Sequence, residues 1–162
     1  MKLIHIVGSQ GSGKTTLIIE LLKEFNKRDI SVGTLKHSPH SYELDTPGKD
    51  SFRHRTAGGI PAAVATKNQI AVYLPRKENE NPLDKLAVLF DETDLIIIEG
   101  YINGPGKKIE VWRKKTDQEP FFMKRPDIKV VITDDYIDTS LTVWPRNNIG
   151  KIADNILTLA GK

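Results

Sequence analysis

The sequence begins with the apolar run Leu3-Ile4-His5-Ile6-Val7 and passes directly into Gly8-Ser9-Gln10-Gly11-Ser12-Gly13-Lys14-Thr15. The second stretch matches G-x-x-x-x-G-K-[ST], the pattern of the phosphate-binding P-loop. Its glycines let backbone N–H groups turn towards phosphate oxygens, its lysine supplies a mobile positive charge, and its threonine hydroxyl is available to Mg²⁺. The residues predicted to bind nucleotide are Gly8, Ser9, Gln10, Gly11, Ser12, Gly13, Lys14, Thr15 and Thr16.

The two flanks of this loop agree with the motif. The run before Gly8 has the character of a buried strand, and Thr15–Asp29 places four apolar residues on one stripe of a helix: Leu17, Leu21, Leu22 and Phe25. The N-terminus of such a helix points at bound phosphates. Strand, loop and helix in this order predict nucleotide binding, with Lys14 as a catalytic residue and Thr15 as a metal ligand.

The rest of the chain alternates strand-like and helix-like segments, which predicts a three-layer α/β fold of the P-loop NTPase type with a mainly parallel sheet. Only two residues separate Ala62–Thr66 from Gln69–Tyr73, too few for a crossover helix, so this pair predicts an antiparallel hairpin portion. The other predicted strands are Lys2–Val7, Ser31–Leu35, Asp94–Ile98, Lys108–Trp112 and Ile128–Thr133, and the predicted helices are Thr15–Asp29, Ser51–Ala57, Pro82–Phe90 and Asn148–Ala160.

Length and composition limit the class of protein. A chain of 162 residues predicts one nucleotide-binding domain over 1–162. Since no apolar stretch is long enough for a membrane span or signal peptide, we expect a cytoplasmic protein without a membrane partner. The absence of cysteine excludes disulfides and thiolate metal sites. A net charge of +3 suits phosphate-rich ligands, but without aromatic residues between the basic ones a nucleic-acid partner is not expected.

A carboxylate is expected near the Mg²⁺ of a P-loop protein, at the end of a neighbouring apolar strand. The segment Asp94–Glu99 has an acidic residue at each end. Because ligands bind at the carboxyl ends of parallel strands, Glu99 is predicted to ligate Mg²⁺ or to orient the attacking water. Asp94 has the features of a solvated acid at the opposite end, which is also the alternative for Glu99.

The residues that read the base are less evident. Asn26–Asp29 matches the guanine-reading pattern [NT]-K-x-D, but it lies at the far end of the first helix, roughly 18 Å from the phosphates at 1.5 Å per residue. Thr133 and Asp134 end a predicted strand at the carboxyl edge, where an Asp can accept hydrogen bonds from guanine. The same residues also suit a plain loop cap.

A long polar loop, Lys36–Ser51, follows the second predicted strand, and loops of this length are commonly functional. We expect Lys36, His37 and Lys49 to contact anionic ligand groups and Asp45 or Asp50 to reach the Mg²⁺. An alternative is a metal site formed by two histidines and a carboxylate. Asp50 also suits the N-cap of the helix that follows. The alternative set is His37, His40 and Asp45.

Together these residues resemble the molybdopterin-guanine dinucleotide biosynthesis protein B (MobB) family over nearly the whole chain. The P-loop itself occurs in many families, whereas the segment from Gly33 to Gly58 is distinctive. The matching blocks are Gly8–Thr16, Gly33–His37 with Gly48–Arg55 and Ala57–Gly58, and Ile98–Tyr101 with Lys108–Val111. Where the family often has a lysine after Glu-Gly-aromatic, this chain has Ile102, and Lys107 or Lys108 is a candidate substitute.

The resemblance implies a dimeric protein that binds GTP and hydrolyses it weakly, with Mg²⁺ as cofactor. It also implies a role in attaching GMP to molybdopterin, with molybdopterin or its nucleotidyltransferase as partner. The residues alone leave open a small-molecule kinase or a stand-alone NTPase. Three arginines are candidates to act on phosphate across a dimer interface: Arg53, Arg55 and Arg113.

Overall fold

A computed structural model describes residues 2–161. It divides into two compact units, one formed by the chain up to Pro39 together with the chain from Ala87 onward, the other by His40–Leu86. The prediction of a single domain over 1–162 stays a prediction. The first unit contains β1 (Leu3–Val7), α1 (Lys14–Lys27), β2 (Val32–Lys36), β5 (Leu95–Glu99), β6 (Lys107–Val111), β7 (Ile128–Ile132), β8 (Thr142–Trp144) and α4 (Ile149–Ala160); the second contains α2 (Asp50–Thr56), β3 (Ala62–Ala65), β4 (Ile70–Tyr73) and α3 (Pro82–Leu86).

The first unit is built on a six-stranded sheet in the order β2-β5-β1-β6-β7-β8, and every pairing in it is parallel. Strand β1 lies between β5 and β6, with Ile6 opposite Glu99 on one side and Ile109 on the other. This register brings the end of β1, where the P-loop begins, level with the ends of both neighbours.

Helices α1 and α4 pack against each other and cover one face of this sheet. Side chains two residues apart on each strand point to this face, as the period of a strand requires. On α1 the stripe predicted from the sequence is buried at Leu17, Leu21 and Phe25, whereas Leu22 is only partly buried against the same core. The strand residues that share this core are Ile4, Ile6, Leu95, Ile97, Ile109, Val111, Val130 and Ile132.

Short segments cover the opposite face of the sheet. Phe90 ends a 3-10 helix, Ala87–Phe90, and its ring lies against Gly33 of β2. The carboxylate of Glu110 on β6 accepts hydrogen bonds from the backbone N–H groups of Phe121 and Phe122, at 2.6 and 2.9 Å. A buried acid therefore holds the segment between β6 and β7 against the sheet.

The second unit contains a small separate sheet. Strands β3 and β4 pair antiparallel, with Ala62 opposite Tyr73 and Ala65 opposite Ile70. The predicted hairpin is confirmed, although it forms its own two-stranded sheet outside the parallel one. Few side chains of this unit are buried: Asp45, Ala62 and Leu83.

The predicted fold class is confirmed as a mainly parallel α/β P-loop fold with an antiparallel hairpin. Strand β8 was not predicted, since its three residues are too short to form a recognisable pattern. The predicted helix Pro82–Phe90 changes to 3-10 geometry after Leu86. The expected N-cap at Asp50 is wrong, because Lys49 has the extended cap conformation and Asp50 is the first helical residue.

None of the helices within residues 2–161 has the length and apolar character needed to cross a membrane.

Candidate nucleotide-binding site

The P-loop turns tightly at the end of β1. A side chain at Gly8 would collide with the carbonyl oxygen of Val111 on β6, so only glycine lets the two backbones approach this closely. The hydroxyls of Ser9 and Ser12 are buried and, in the described part of the chain, have no hydrogen-bond partner. Gln10, Gly11 and Thr16, the remaining predicted phosphate-binding residues, lie between Ser9 and the first turn of α1.

Lys14 folds back over this loop. Its Nζ donates hydrogen bonds to the carbonyl oxygens of Gly8 at 2.9 Å and Ser9 at 2.7 Å. Desolvation by burial lowers the pKa of Lys14, while the negative charge of Glu99 opposes this shift and the positive charge of Lys36 adds to it. An ammonium held among backbone carbonyls and partly removed from water is favourably placed to exchange these acceptors for phosphate oxygens.

Thr15 and Glu99 meet at the other side of the loop. The Thr15 hydroxyl donates a hydrogen bond to Oε1 of Glu99 at 2.8 Å, and Nζ of Lys36 lies 3.8 Å from the same oxygen. The structure thus brings together three residues that the sequence proposed for metal and phosphate contacts. Asp94 lies at the opposite end of β5, where its carboxylate accepts a hydrogen bond from the backbone of Ser31.

A pocket of about 200 Å³ opens beside the P-loop, at the carboxyl ends of β6 and β7. Its lining combines apolar side chains with charged groups of both signs, and a few polar groups in an apolar pocket are typical of a site that orients a ligand. Its lining includes the predicted base readers Thr133 and Asp134. The other lining residues are Val111, Trp112, Arg113, Lys115, Ile132, Asp135 and Arg146.

Thr133 and Asp134, the two residues predicted to recognise the base, already accept hydrogen bonds from the backbone around the pocket. The buried Thr133 hydroxyl accepts a hydrogen bond from the backbone of Asp135 at 3.0 Å. Oδ1 of Asp134 accepts a hydrogen bond from the backbone of Arg146 at 2.7 Å, and the side chain of Arg146 pairs with Glu20. Loop capping, the alternative for these residues, therefore accounts for the Thr133 hydroxyl and for Oδ1 of Asp134.

Arg113 also lies in this region. Its guanidinium is 3.1 Å from the position that a side-chain Cβ on Gly13 would occupy. The sequence suggested Arg113 as a residue acting across a dimer interface, whereas the structure places it beside the P-loop of its own chain. Its position two residues past a predicted strand was visible in the sequence, but its closeness to the loop depends on the pairing of β6 with β1.

Two predicted site residues, Asp45 and Lys49, belong to the second unit. Oδ1 of the buried Asp45 accepts hydrogen bonds from the backbone of Thr46 at 2.8 Å and the hydroxyl of Ser51 at 3.1 Å. Its Oδ2 is buried and has no hydrogen-bond partner among the described residues. Lys49 caps α2 through its backbone. The roles predicted for these residues in metal and phosphate binding stay predictions.

The histidine loop offers no metal site made by side chains alone. Among residues 2–161 no group of three or more His, Asp or Glu side chains is arranged to hold a metal ion. The ring of His37 stacks on Tyr101, with the ring centroids 4.4 Å apart. Tyr101 follows Glu99 by two residues, so this stack lies close to the predicted metal-binding carboxylate.

Comparison with known proteins identifies the family. The sequence matches the family model of molybdopterin guanine dinucleotide synthesis protein B over residues 3–134. The chain belongs to this family. The resemblance inferred from the P-loop and the distinctive second block is therefore confirmed.

Individual relatives agree with this result. The chain is 35% identical over 158 residues to the molybdopterin-guanine dinucleotide biosynthesis adapter protein of Haemophilus influenzae, covering 95% of this chain and 86% of that protein. It is 33% identical over 121 residues to the adapter protein of the same name from Escherichia coli, covering 73% and 69%. The crystal structure of Bacillus subtilis MobB superimposes with a TM-score of 0.75 and 26% identity, covering 98% of each chain.

Proposed function

We propose that this chain binds GTP, hydrolyses it slowly, and acts as an adaptor in attaching GMP to molybdopterin during molybdenum cofactor biosynthesis. Two relatives with at least 33% identity are named as adapter proteins of molybdopterin-guanine dinucleotide biosynthesis, which supports this role. The observation that carries nucleotide binding is the contact of Thr15 with Glu99 at the mouth of the P-loop. A hydroxyl and a carboxylate meet there beside a lysine, as phosphate and metal binding require.

Phosphate binding in this proposal exchanges contacts that the chain already makes. Lys14 would leave the carbonyl oxygens of Gly8 and Ser9 and donate to the β- and γ-phosphates instead. The backbone N–H groups of the P-loop and the N-terminus of α1 would hold the remaining oxygens. Lys36 and Lys49 are proposed as further contacts to anionic groups.

The proposed Mg²⁺ ligands are Thr15 and Glu99, with Asp45 as a further candidate. The hydroxyl and carboxylate oxygens of Thr15 and Glu99 lie 2.8 Å apart, and oxygen is the ligand that Mg²⁺ prefers. When bound, the ion neutralises charge on the β- and γ-phosphates. Glu99 would then hold the attacking water in place.

Guanine recognition is proposed for the pocket beside the loop. Oδ2 of Asp134 is the acceptor that can bind guanine N1–H and the exocyclic amine, and Thr133 supports the turn that presents it. Adenine lacks both of these donors on that edge. A carboxylate in this position therefore favours GTP over ATP, because it can accept two hydrogen bonds from guanine that adenine cannot donate.

Calorimetric titration with Mg·GTP and Mg·ATP tests nucleotide binding. We expect a preference for GTP of about tenfold, or 1.4 kcal/mol, and loss of tight binding in Lys14→Ala. The variant must keep the thermal unfolding profile of the wild type. Unchanged affinity in Lys14→Ala would place the site elsewhere, and a preference for ATP with turnover above about 1 s⁻¹ would favour the kinase or stand-alone NTPase.

The adaptor role is tested with the partner enzyme. The nucleotidyltransferase that joins GMP to molybdopterin is assayed at limiting GTP, with and without this protein. We expect the wild type to raise the rate and Lys14→Ala to have no effect. A transferase rate that is the same in all three assays would reject the adaptor role without affecting nucleotide binding.

A homodimer is proposed from the second unit. Its hairpin carries exposed apolar side chains at Val64, Ile70 and Val72, and two-stranded hairpins are marginally stable in water unless they are packed against something else. A second copy of this chain would cover them. Light scattering across a range of protein concentrations tests this, with Ile70→Lys expected to give monomers. A wild type that is monomeric at all concentrations would reject it.

A further inference from the structure

We propose that Arg113 binds the α- and β-phosphates of the nucleotide, the part that GTP and GDP share. This inference rests on the proposed nucleotide site and adds a residue to it from the same chain. Arg113 would act as an anchor for the ligand, and it would leave the γ-phosphate to Lys14 and to the Thr15–Glu99 side of the loop.

The position of Arg113 follows from the sheet. Strand β6 pairs with β1 so that Val7 lies opposite Glu110, one residue before the P-loop begins. The chain therefore leaves β6 beside the loop, and the guanidinium of Arg113 lies against Gly13. Nη2 and Cζ are 3.1 and 3.2 Å from the site of a Cβ on Gly13. A Cβ at position 13 would be in tight contact with the guanidinium and would push it outward, and the φ of +95° at this position also favours glycine.

The guanidinium of Arg113 has no acidic partner in the part of the chain that the structure describes. Within residues 2–161 the structure gives the Arg113 side chain neither a hydrogen bond nor an ion pair, although it is half-buried. Other arginines of the first unit are paired, Arg28 with Asp154 and Arg125 with Asp127. A half-buried arginine that is left unpaired beside a phosphate loop is available to an anion.

The positive charge at the N-terminus of α1 also favours an anion beside Arg113. Gly13 is the N-cap of α1, it provides no side-chain cap, and the first turn of the helix has no acidic residue. The N-terminus of a helix carries partial positive charge, and a cation placed there is unfavourable. Lys14 and Arg113 add two cations at this end. A polyphosphate binding among them would relieve this repulsion.

The two sides of the loop indicate which phosphates Arg113 contacts. Strands β5 and β6 flank β1 on opposite sides. Glu99 ends β5 and reaches Thr15, which places metal and γ-phosphate chemistry on that side. Arg113 follows β6 and lines the pocket that contains Thr133 and Asp134. A nucleotide with its base in this pocket and its γ-phosphate near Glu99 passes its α- and β-phosphates in front of Arg113.

The test compares Arg113→Ala and Arg113→Lys with Lys114→Ala. Lys114 is the adjacent residue, its side chain is exposed, and its replacement removes the same charge. Dissociation constants are measured for GTP, GDP, ATP and ADP, and hydrolysis is followed at saturating GTP. We expect Arg113→Ala to weaken GTP and GDP binding equally, by about tenfold or more. Arg113→Lys should lose less, because it keeps the charge, and Lys114→Ala should match the wild type.

Other outcomes overturn this inference. Equal affinities of Arg113→Ala and wild type would reject it, and so would an equal loss in Lys114→Ala, since net charge alone would then explain the effect. A loss confined to GTP and to the hydrolysis rate would assign Arg113 to the γ-phosphate. If Arg113→Ala does not fold, Arg113→Gln, which keeps most of the side-chain length, replaces it. A wild type that prefers ATP would reject guanine selectivity, and the affinities for ATP and ADP would then test the role of Arg113. A wild type that binds none of the four nucleotides would reject both the proposed nucleotide site and this inference.

Discussion

The two units of this chain differ in how many of their apolar side chains they bury. In the first unit the sheet is covered on both faces, and the core contains fully buried side chains such as Phe25, Ile97 and Ile132. The second encloses little more than Ala62 and Leu83. Seven of its large apolar or aromatic side chains are exposed: Tyr42, Leu44, Ile60, Val64, Ile70, Val72 and Leu74.

The difference in burial fits the presence of the P-loop in the first unit only. A P-loop needs its backbone fixed against a rigid sheet, since N–H groups bind phosphate only when they point the same way. The buried parallel strands provide that support. A unit of about 50 residues is marginally stable by itself, because a small unit buries a smaller share of its surface than a large one. The exposed apolar side chains of its hairpin are the surface at which the proposed homodimer would form.

The largest expected effect is a difference in stability between two variants that carry the same substitution, isoleucine to alanine, one in each unit. Ile97→Ala removes a fully buried side chain from β5 and should lower the free energy of unfolding by about 2 to 5 kcal/mol. Ile70→Ala changes a side chain that is 74% exposed and should cost less than about 1 kcal/mol. Urea unfolding of both variants at low protein concentration measures the difference. Similar losses would show that the hairpin is packed more tightly than the monomer indicates.

A second expected effect concerns the buried acid of the first unit. Glu110→Ala leaves the N–H groups of Phe121 and Phe122 without their acceptor, which should cost about 2 to 4 kcal/mol. Burial raises the pKa of Glu110, and the two N–H donors partly oppose this shift. The matched variant in the second unit is Glu43→Ala, whose carboxylate also accepts a backbone hydrogen bond but is partly exposed.

The measurement for this pair is chemical unfolding together with hydrogen exchange of residues 114–125. Glu110→Ala should increase exchange in that segment, because its anchor to the sheet is lost. Glu43→Ala should lose less stability and leave exchange there unchanged. If Glu43→Ala proved the more destabilising of the two, the contrast between a packed and a thinly packed unit would be wrong.

The sequence predicted the first unit well because its signals are local. The P-loop motif, the helical stripe on α1 and the apolar run before Glu99 each identify an element without reference to the rest of the chain. Parallel topology then places Glu99 near Thr15, since the carboxyl ends of neighbouring strands meet at one edge. This contact is present, at 2.8 Å.

The residues that sequence reasoning missed depend on tertiary register. Arg113 was considered only as a residue acting on another copy, because its contact with Gly13 requires the pairing of β6 beside β1. Arg146 follows β8, a strand too short to be recognised. The separation of the hairpin from the main sheet is a property of the whole fold. No pattern in residues 62–73 distinguishes a separate sheet from a sheet extension.

The smallest expected effect is a pH dependence from His5, which is fully buried on β1. Its Nε2 lies 2.7 Å from the carbonyl oxygen of Pro105, and its Nδ1 lies 3.3 Å from that of Gly100. Burial lowers the pKa of His5 below the ordinary 6.5, the two carbonyl oxygens oppose this shift, and the charge of Lys108 adds to it. Tyr101, whose ring is tilted against that of His5, and the pair of Lys108 with Asp127 complete its surroundings.

A lowered pKa in the folded state means that folding favours the neutral imidazole, whereas the unfolded chain takes up a proton near pH 6.5. This contribution to stability is therefore complete above about pH 6.5 and is lost as the pH falls through the lower folded value. Thermal unfolding between pH 7.5 and 5.5 should show a steeper fall for the wild type than for His5→Gln. The matched control, His54→Gln in the exposed surface of the second unit, should keep the wild-type slope. If the two variants had the same slope, the buried histidine would contribute nothing specific, and the contrast between the units would not extend to their ionisable groups.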